Sequence, residues 1–414
     1  MSMQGHLDTL SLWFLGNPAS PRLVGDLQLM GVGKGVSLRY APGWLASGFA
    51  LSEDLPLRDT EHLPRAKGVA AGAVDDARPD RWGERVIQFI DKPPRLSLME
   101  YLYYAGDDRF GALGVSLSSE NYTPRLHGPL PRLADAQTLS EVVAKISAKE
   151  PITALEQQMV STGGSFGGAK PKALIEIDRE QWVIKFFNGE PIDVPLIEHA
   201  SMTLAAQAGI RVAQTQLLRL AGEHALLVKR FDRLGKQRIH CQSAATALYA
   251  ESADGQTADL SYPALAQLLR RAGVTKEGIN QQDMHELFRR MVFNILIDNT
   301  DDHEKNHALL VTEPTRYGRL RLCPAYDVLP TNSGQGRQEF GVGLDGNESS
   351  LQNAMSQCQI FGLSAAVAKA QIARVVNVVN GWRTHFERCG VSKADIESLA
   401  ERLEGGLAAQ RREY

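Results

Sequence analysis

Cysteine is scarce in this chain. Four occur in 414 residues (Cys241, Cys323, Cys358 and Cys389), far apart and with no C-x-x-C pair. That argues against a disulfide framework and against a cysteine-based zinc site, and it fits a reducing cytoplasm. A run of about 18 apolar residues, the length a membrane-spanning helix needs, is also missing. So is an N-terminal basic stretch leading into a long apolar one. A soluble, cytoplasmic protein with no membrane partner is expected. Charge of one sign is not in excess: the net charge is −3, so no global basic field points to nucleic acid, although a local patch stays open. Internal repeats and long low-complexity segments are lacking too. What remains is an ordinary globular mixture, 43% hydrophobic and 22% charged, long enough for two or three domains and a large core.

Residues 1–60 read as β-rich, with "TLSLWFLG" and "GVSLRYA" as strands punctuated by Gly and Pro. Residues 78–105 read as helical. "DRWGERVIQFI" brings Trp82, Val86 and Phe89 to one face, and "SLMEYLYYAG" is a second segment ending at a glycine. The polar, proline-bearing stretch 118–137 is a linker, which divides the chain into 1–137, 138–235 and 236–414. Beyond it, "KALIEI" and "QWVIKFF" form a hairpin turning at Asp178 to Glu180, fed by the glycine-rich "STGGSFGGAKPK". Val194, Ile197, Leu204, Ala205 and Ala208 form a helical stripe that Gly209 ends. Two strands follow, "VAQTQLLRL" and "HALLVKRF". Met284, Leu287, Phe288, Met291, Val292, Ile295 and Leu296 recur at helical spacing over three turns. Short strands are expected at "HALLV" and "RLRLC", and two closing helical segments near 364–387 and 392–409. The fold class is α+β: a protein-kinase-like bilobal plan, with a β-rich N-terminal lobe and a mostly helical C-terminal lobe.

The stretch 297–310, "IDNTDDHEKNHALL", concentrates ionisable groups at the end of the long helix. Phosphoryl transfer from ATP needs a backbone cradle, a cation on the phosphates, Mg²⁺ held by oxygen ligands, and a group that orients the acceptor hydroxyl. Gly163, Gly164, Gly167 and Gly168 would let backbone N–H groups approach phosphate closely. Ala169 stands where a Walker A lysine would be, and a strand follows rather than a helix, so this is not a P-loop. Lys185, inside an apolar strand, is the cation candidate, and Glu198 on the next helix could anchor it. Asp301 and Asn306 have the D-x-x-x-x-N offset of a kinase catalytic loop, an acceptor-orienting acid and a metal-binding amide. Asp327, 26 residues downstream in "CPAYDVLP", has the position of a second metal carboxylate. Each part alone also has an ordinary reading: a flexible surface loop, a lysine on a solvated strand face, a solvated turn. Glu198 by itself reads rather as an exposed helical residue. His303 to His307 also spell the H-E-x-x-H zinc string, but the strand-like "HALLV" that follows speaks against one continuous helix across both histidines.

Together these strings resemble the HipA family of bacterial serine/threonine kinases, toxin halves of toxin–antitoxin modules. The residues that carry the resemblance are "GGSFGGAKPKAL", "WVIKF", "VKRFDR", "NTDDHEKNHALL" and "CPAYDVLP", with "LRYAPGWLASG", "DARPDRWGERVI" and "GDDRFGALGV" upstream. The resemblance implies roles by position. Asp301 would be catalytic, and Asn306 and Asp327 would hold Mg²⁺. Lys185 would take the α/β-phosphates of ATP. Phe166, Gly167, Gly168, Ala169 and Lys172 would cover the phosphates, and Lys229 and Phe231 would meet adenine at the hinge. Ser165 aligns with a serine that family members autophosphorylate, with Ser161 and Thr162 as alternative acceptors. Implied partners are a helix-turn-helix antitoxin, operator DNA through that antitoxin only, and a protein substrate, in some members an aminoacyl-tRNA synthetase. Two alternatives stay open: a small-molecule kinase of aminoglycoside-phosphotransferase type, and a non-catalytic nucleotide-binding partner of a DNA-binding repressor.

Overall fold

The computed structural model describes residues 7–414 except 32, 34, 126–127, 162–169, 252–256, 314–318, 332 and 412. The chain opens with β1 (Thr9–Phe14), β2 (Arg22–Leu29), β3 (Val36–Tyr40), α1 (Pro42–Ser47), β4 (Glu61–His62), α2 (Arg81–Ile90), α3 (Leu98–Tyr104) and β5 (Leu113–Ser116). The five strands form one antiparallel sheet in the order β4-β3-β2-β1-β5. Leu27 and Leu29 are buried while Asp26 and Gln28 beside them are exposed. This is the alternation of a sheet with one solvated face. Asp80 starts α2 by accepting a 2.6 Å hydrogen bond from Gly83 N, and Ser97 does the same for α3 through Glu100 N.

After α4 (Ala136–Ala148) and α5 (Ala154–Ser161) comes the expected hairpin, β6 (Lys172–Ile177) and β7 (Glu180–Phe186). Its two turn residues, Asp178 and Arg179, have φ of 51° and 68°. Positive φ at both central positions matches the right-handed twist of the strands, but it usually calls for Asn-Gly. Helix α6 (Val194–Gln207) follows, then β8 (Thr215–Leu220) and β9 (Glu223–Lys229). The sheet order is β6-β7-β9-β8. Strand alternation in β9 splits its side chains between two cores. Ala225 and Leu227 pack in one cluster with Leu139, Val142 and Ile146 of α4. Leu226 and Val228 join Leu196, Ile197, Ala200 and Leu204 of α6 in the other.

The C-terminal lobe begins with the short ribbon of β10 (Arg233–Leu234) and β11 (Gln237–Arg238). It continues with β12 (Cys241–Ser243), α7 (Ala244–Glu251), α8 (Tyr262–Ala272), α9 (Ile279–Leu296), β13 (Ala308–Glu313) and β14 (Arg319–Leu322), the strands pairing β12-β13-β14. It closes with α10 (Leu351–Ser356), α11 (Ala365–Asn380), α12 (Trp382–Cys389), α13 (Lys393–Leu403) and α14 (Gly406–Arg411). All seven apolar residues of the expected stripe in α9 are buried. The two expected closing segments are four helices instead. Gly381 separates α11 from α12, and Gly390, at φ 92°, ends α12 where a residue with Cβ would be strained. The expected bilobal α+β plan is present. Among the described residues no helix is long and apolar enough to cross a membrane.

The N-terminal sheet is fastened to the rest by buried polar contacts. Asp232 accepts from Gly111 N at 2.8 Å and from Arg230 and Arg233 at 2.7 and 2.9 Å. Both arginines donate to the Arg109 carbonyl. Arg238 pairs with Asp107 at 2.7 Å, and Asp76 accepts from Ser243 N and Oγ, both at 2.7 Å. The upstream strings "DARPD" and "GDDRFG" are therefore structural ties, the first to Ser243 of the C-terminal lobe and the second to the "VKRFDR" stretch at the exit of β9.

The hairpin turn offers a stability test. Replacing Asp178 by Asn and Arg179 by Gly, both exposed, should relieve left-handed strain and stabilise the protein by about 1 kcal/mol. A higher urea midpoint at unchanged slope is the expected reading. A lower midpoint would show that Asp178 and Arg179 are bearing other contacts.

Candidate active site

Helix α9 ends at Leu296, and the chain turns sharply at Asp298, φ 56°. Thr331 N and Oγ1 both bond the Asp298 carbonyl, at 3.0 and 2.8 Å, and Thr300 Oγ1 lies 2.6 Å from Thr331 Oγ1. The loop that follows separates two adjacent acids. Asp302 is buried, bonded to the Tyr262 hydroxyl and, at 3.0 Å, to His307 Nε2. Burial pushes its carboxyl up, but His307 and the Tyr262 bond bring it below the usual range. Asp301 stays exposed. Its carbonyl accepts from Asn306 Nδ2 at 3.1 Å. That leaves the Asn306 carboxamide oxygen as the atom a hard cation would take. Asp302 thus holds the loop from inside, and Asp301 is the acid of the pair left open to solvent.

The zinc string loses its geometric premise. Glu304–Asn306 form one 3₁₀ turn, and His303 and His307 flank it with extended backbones at φ −110° and −116°. His307 stacks on Phe340 and is committed to Asp302. Among the described residues, no group of three or more His, Cys, Asp or Glu side chains is placed to hold a metal.

Lys185 is the charge centre of the site. From β7 its Nζ reaches Glu198 Oε1 on α6 at 2.6 Å and Asp327 Oδ1, beyond β14, at 2.7 Å. The reading of Glu198 as an exposed helical residue is corrected here: it is 3% exposed. Helix α6 packs its apolar stripe on the sheet, and this face carries the carboxylate that the half-buried Lys185 requires. Burial pulls the Lys185 ammonium down, yet Asp327 and Glu198 hold it net above its ordinary value. Burial pushes Asp327 up, and Lys185 and Lys172 override this, holding it well below the usual carboxylate range. Glu198 is left above its ordinary value by burial.

Lys172 stands opposite Lys185 in the β6–β7 register. Its side chain is buried and its Nζ lies 3.5 Å from Asp80. Burial pulls the Lys172 ammonium down and pushes Asp80 up to about 6, against the pull of the pair. Trp82 Nε1 donates to the Lys172 carbonyl at 2.8 Å. Lys229 ends β9 with Nζ 2.5 Å from Glu180 Oε1. Phe231 lies against Tyr326, centroids 5.4 Å apart. Asn306, Tyr326 and Val328 line one small cavity, so the chain on either side of Asp327 meets the Asn306 loop there. An amide oxygen and a carboxylate are the donors Mg²⁺ prefers, and it commonly completes its shell with water and substrate phosphate. The residues present fit that ion. Phe166, Gly167, Gly168, Ala169, Ser165 and Thr162 lie outside the described residues, as do Gly163 and Gly164; Ser161 closes α5. Glu198, Asp302 and Tyr326 are the site residues that sequence reasoning undervalued or missed. A carboxylate on the helix after the lysine strand was the one available signal, for Glu198.

Residues 164–382 match the family model described as the HipA-like C-terminal domain, and residues 19–116 match the HipA N-terminal domain. "Putative kinase Y4dM" of Sinorhizobium fredii is 32% identical over 162 residues, 36% of this chain and 37% of that protein. "Putative kinase" of Haemophilus influenzae is 27% identical over 201 residues, 44% of this chain and 56% of its own. The chain thus spans between a little over a third and a little over half of the length of these curated relatives. A solved complex of HipA, HipB and operator DNA from the Shewanella oneidensis MR-1 toxin–antitoxin system is similar in fold, with TM-score 0.67 and 16% identity over 98% of this chain and 97% of that one.

The charge centre makes a measurable prediction. Lys185→Met leaves Glu198 buried without its cation and should cost about 3–5 kcal/mol. Adding Glu198→Leu should recover about half of that, because the stranded charge is gone. Denaturation midpoints of the two single variants and the double variant check this. Additive losses would mean that the two side chains are not energetically coupled.

Proposed function

The chain belongs to the HipA family, and from that premise we propose that it is an ATP- and Mg²⁺-dependent serine/threonine protein kinase acting as a growth-inhibiting toxin. The observation that carries the reading is the Lys185–Glu198–Asp327 bridge, with 2.6 and 2.7 Å contacts across three separate segments. A lysine fixed by a helix glutamate is how kinases hold the cation that meets the nucleotide phosphates. Lys185 would exchange its Asp327 partner for α/β-phosphate oxygens, which frees that carboxylate. Magnesium held by Asn306 and Asp327 would supply charge neutralisation at the transferring phosphate. On the family likeness, Lys229 and Phe231 would border the adenine, and residues 166–169 and Lys172 would meet the phosphates.

The acceptor hydroxyl forms its bond to the γ-phosphorus as the bond from that phosphorus to the β-bridging oxygen breaks. The hydroxyl proton goes to the Asp301 carboxylate, and ADP leaves. Asp301 suits this role because it is exposed next to a buried, fully engaged neighbour. Regulation follows from charge. A phosphate on Ser165 adds about −1.5 to −2 and would compete with ATP for the same N–H groups, and Ser161 or Thr162 would act likewise. We assign a helix-turn-helix antitoxin as the partner, with operator DNA reached through it. The solved Shewanella complex of HipA with HipB and operator DNA supports that assignment by fold alone. The substrate is a protein, an aminoacyl-tRNA synthetase being one candidate, and the setting is the cytoplasm.

The test is incubation of the purified chain with ATP and Mg²⁺, followed by intact mass and peptide mapping. One added phosphate, on Ser165, is expected. Asp301→Ala should lower transfer by about 10²–10⁴-fold with nucleotide affinity changed less than about twofold. Full turnover in that variant would remove Asp301 from its role. Transfer to a small metabolite with no labelled protein would favour a small-molecule kinase instead. ATP binding with no transfer to any acceptor would favour a non-catalytic partner.

A further inference from the structure

Tyr326 precedes Asp327, and no step described above uses it. Its hydroxyl donates to the carbonyl of Lys305 at 2.7 Å, and Lys305 precedes Asn306. One hydrogen bond therefore joins the two segments that carry the magnesium-ligand candidates, at the residue before each of them. The ring is anchored as well. It lies on Phe231 with centroids 5.4 Å apart and planes 30° apart, and Phe231 meets Phe110 edge-on at 6.1 Å and 82°. Phe110 comes from the N-terminal subdomain, Phe231 from the exit of β9, and Tyr326 from the segment after β14. Three distant parts of the chain meet in one row of rings that ends on the Lys305 carbonyl.

The next residue is where this anchoring matters. Asp327 has φ 59°, a left-handed conformation that costs a non-glycine residue about 1–2 kcal/mol and persists where its surroundings over-determine it. A neighbour held by its ring face and by its hydroxyl supplies that determination.

We propose that Tyr326 is a positioning residue for metal binding: its hydroxyl bond to Lys305 sets the spacing of Asn306 and Asp327, and its ring refers that spacing to the hinge at Phe231. This rests on the reading of Asn306 and Asp327 as magnesium ligands. Magnesium tolerates little departure from octahedral geometry, with bonds of about 2.0–2.1 Å. Slack between its two protein ligands therefore appears as lost metal affinity. The stack by itself restrains the ring and leaves the distance to Lys305 free.

Tyr326→Phe deletes the bond and keeps the ring, so the full chain can be tested without losing the stack. Two readings are expected to move together. Amide exchange over residues 303–307 should quicken by about tenfold, and the Mg²⁺ concentration that half-maximally tightens ATP binding in calorimetry should rise by about tenfold. That factor is the equivalent of roughly one net hydrogen bond. ATP affinity without Mg²⁺ should change less than about twofold. A tyrosine with a merely structural role would lower Tm and leave the Mg²⁺ requirement where it was. An unchanged requirement, with ATP binding intact in both proteins, overturns the inference, and so does unchanged amide exchange. A wild type that binds no ATP would overturn the reading of the site itself, a result distinguishable from the other two.

Discussion

Enclosing the Lys185 ammonium between Glu198 and Asp327 ties together a strand, a helix and a segment of the opposite lobe, 142 residues away. Removing such charges from water costs several kcal/mol per ion, and only close geometry with both partners present offsets it. The bridge therefore adds little to net stability. Its larger effect is on which arrangements are allowed: any packing that separates α6 from β7 strands the Glu198 carboxylate, which is 3% exposed. Lys185, Glu198 and Asp327 are held in register by that penalty.

The same economy of charge separates Asp301 from Asp302. Two adjacent carboxylates in one loop would be redundant if both faced solvent. Here Tyr262 and His307 occupy Asp302 inside the core, and the residue before it is left outside. A rigid inner acid fixes where the outer one sits, which is the positioning that the proposed role of Asp301 calls for. Tyr326 extends this logic to the Asn306 side of the loop.

The N-terminal sheet belongs to the same construction. Asp80 is the counter-charge of Lys172, Trp82 caps the Lys172 carbonyl, and Asp76 holds Ser243 at the start of the C-terminal lobe. Asp232 and its arginines fasten the 109–111 turn to the exit of β9. These contacts make the N-terminal subdomain a structural wall of the site. Residues that look like remote family marks in the sequence are the ones that make the contacts.

Local periodicity was enough to read the hairpin, α6, α9 and the strand–helix order from the sequence, because a period of 2 or 3.6 is written in consecutive side chains. The break at Gly390 falls between the two expected closing segments, but those at Gly381 and at 404–405 were not read, since a glycine in an apolar pattern does not announce whether the chain bends there. The candidate positions Lys185, Asp301, Asn306 and Asp327 followed from residue type and spacing together with family likeness. What only the tertiary structure decided was which charges meet. Glu198 is buried and not exposed, Asp302 and not Asp301 faces inward, and Tyr326 reaches Lys305, because desolvation and pairing depend on groups that folding brings together from distant parts of the chain.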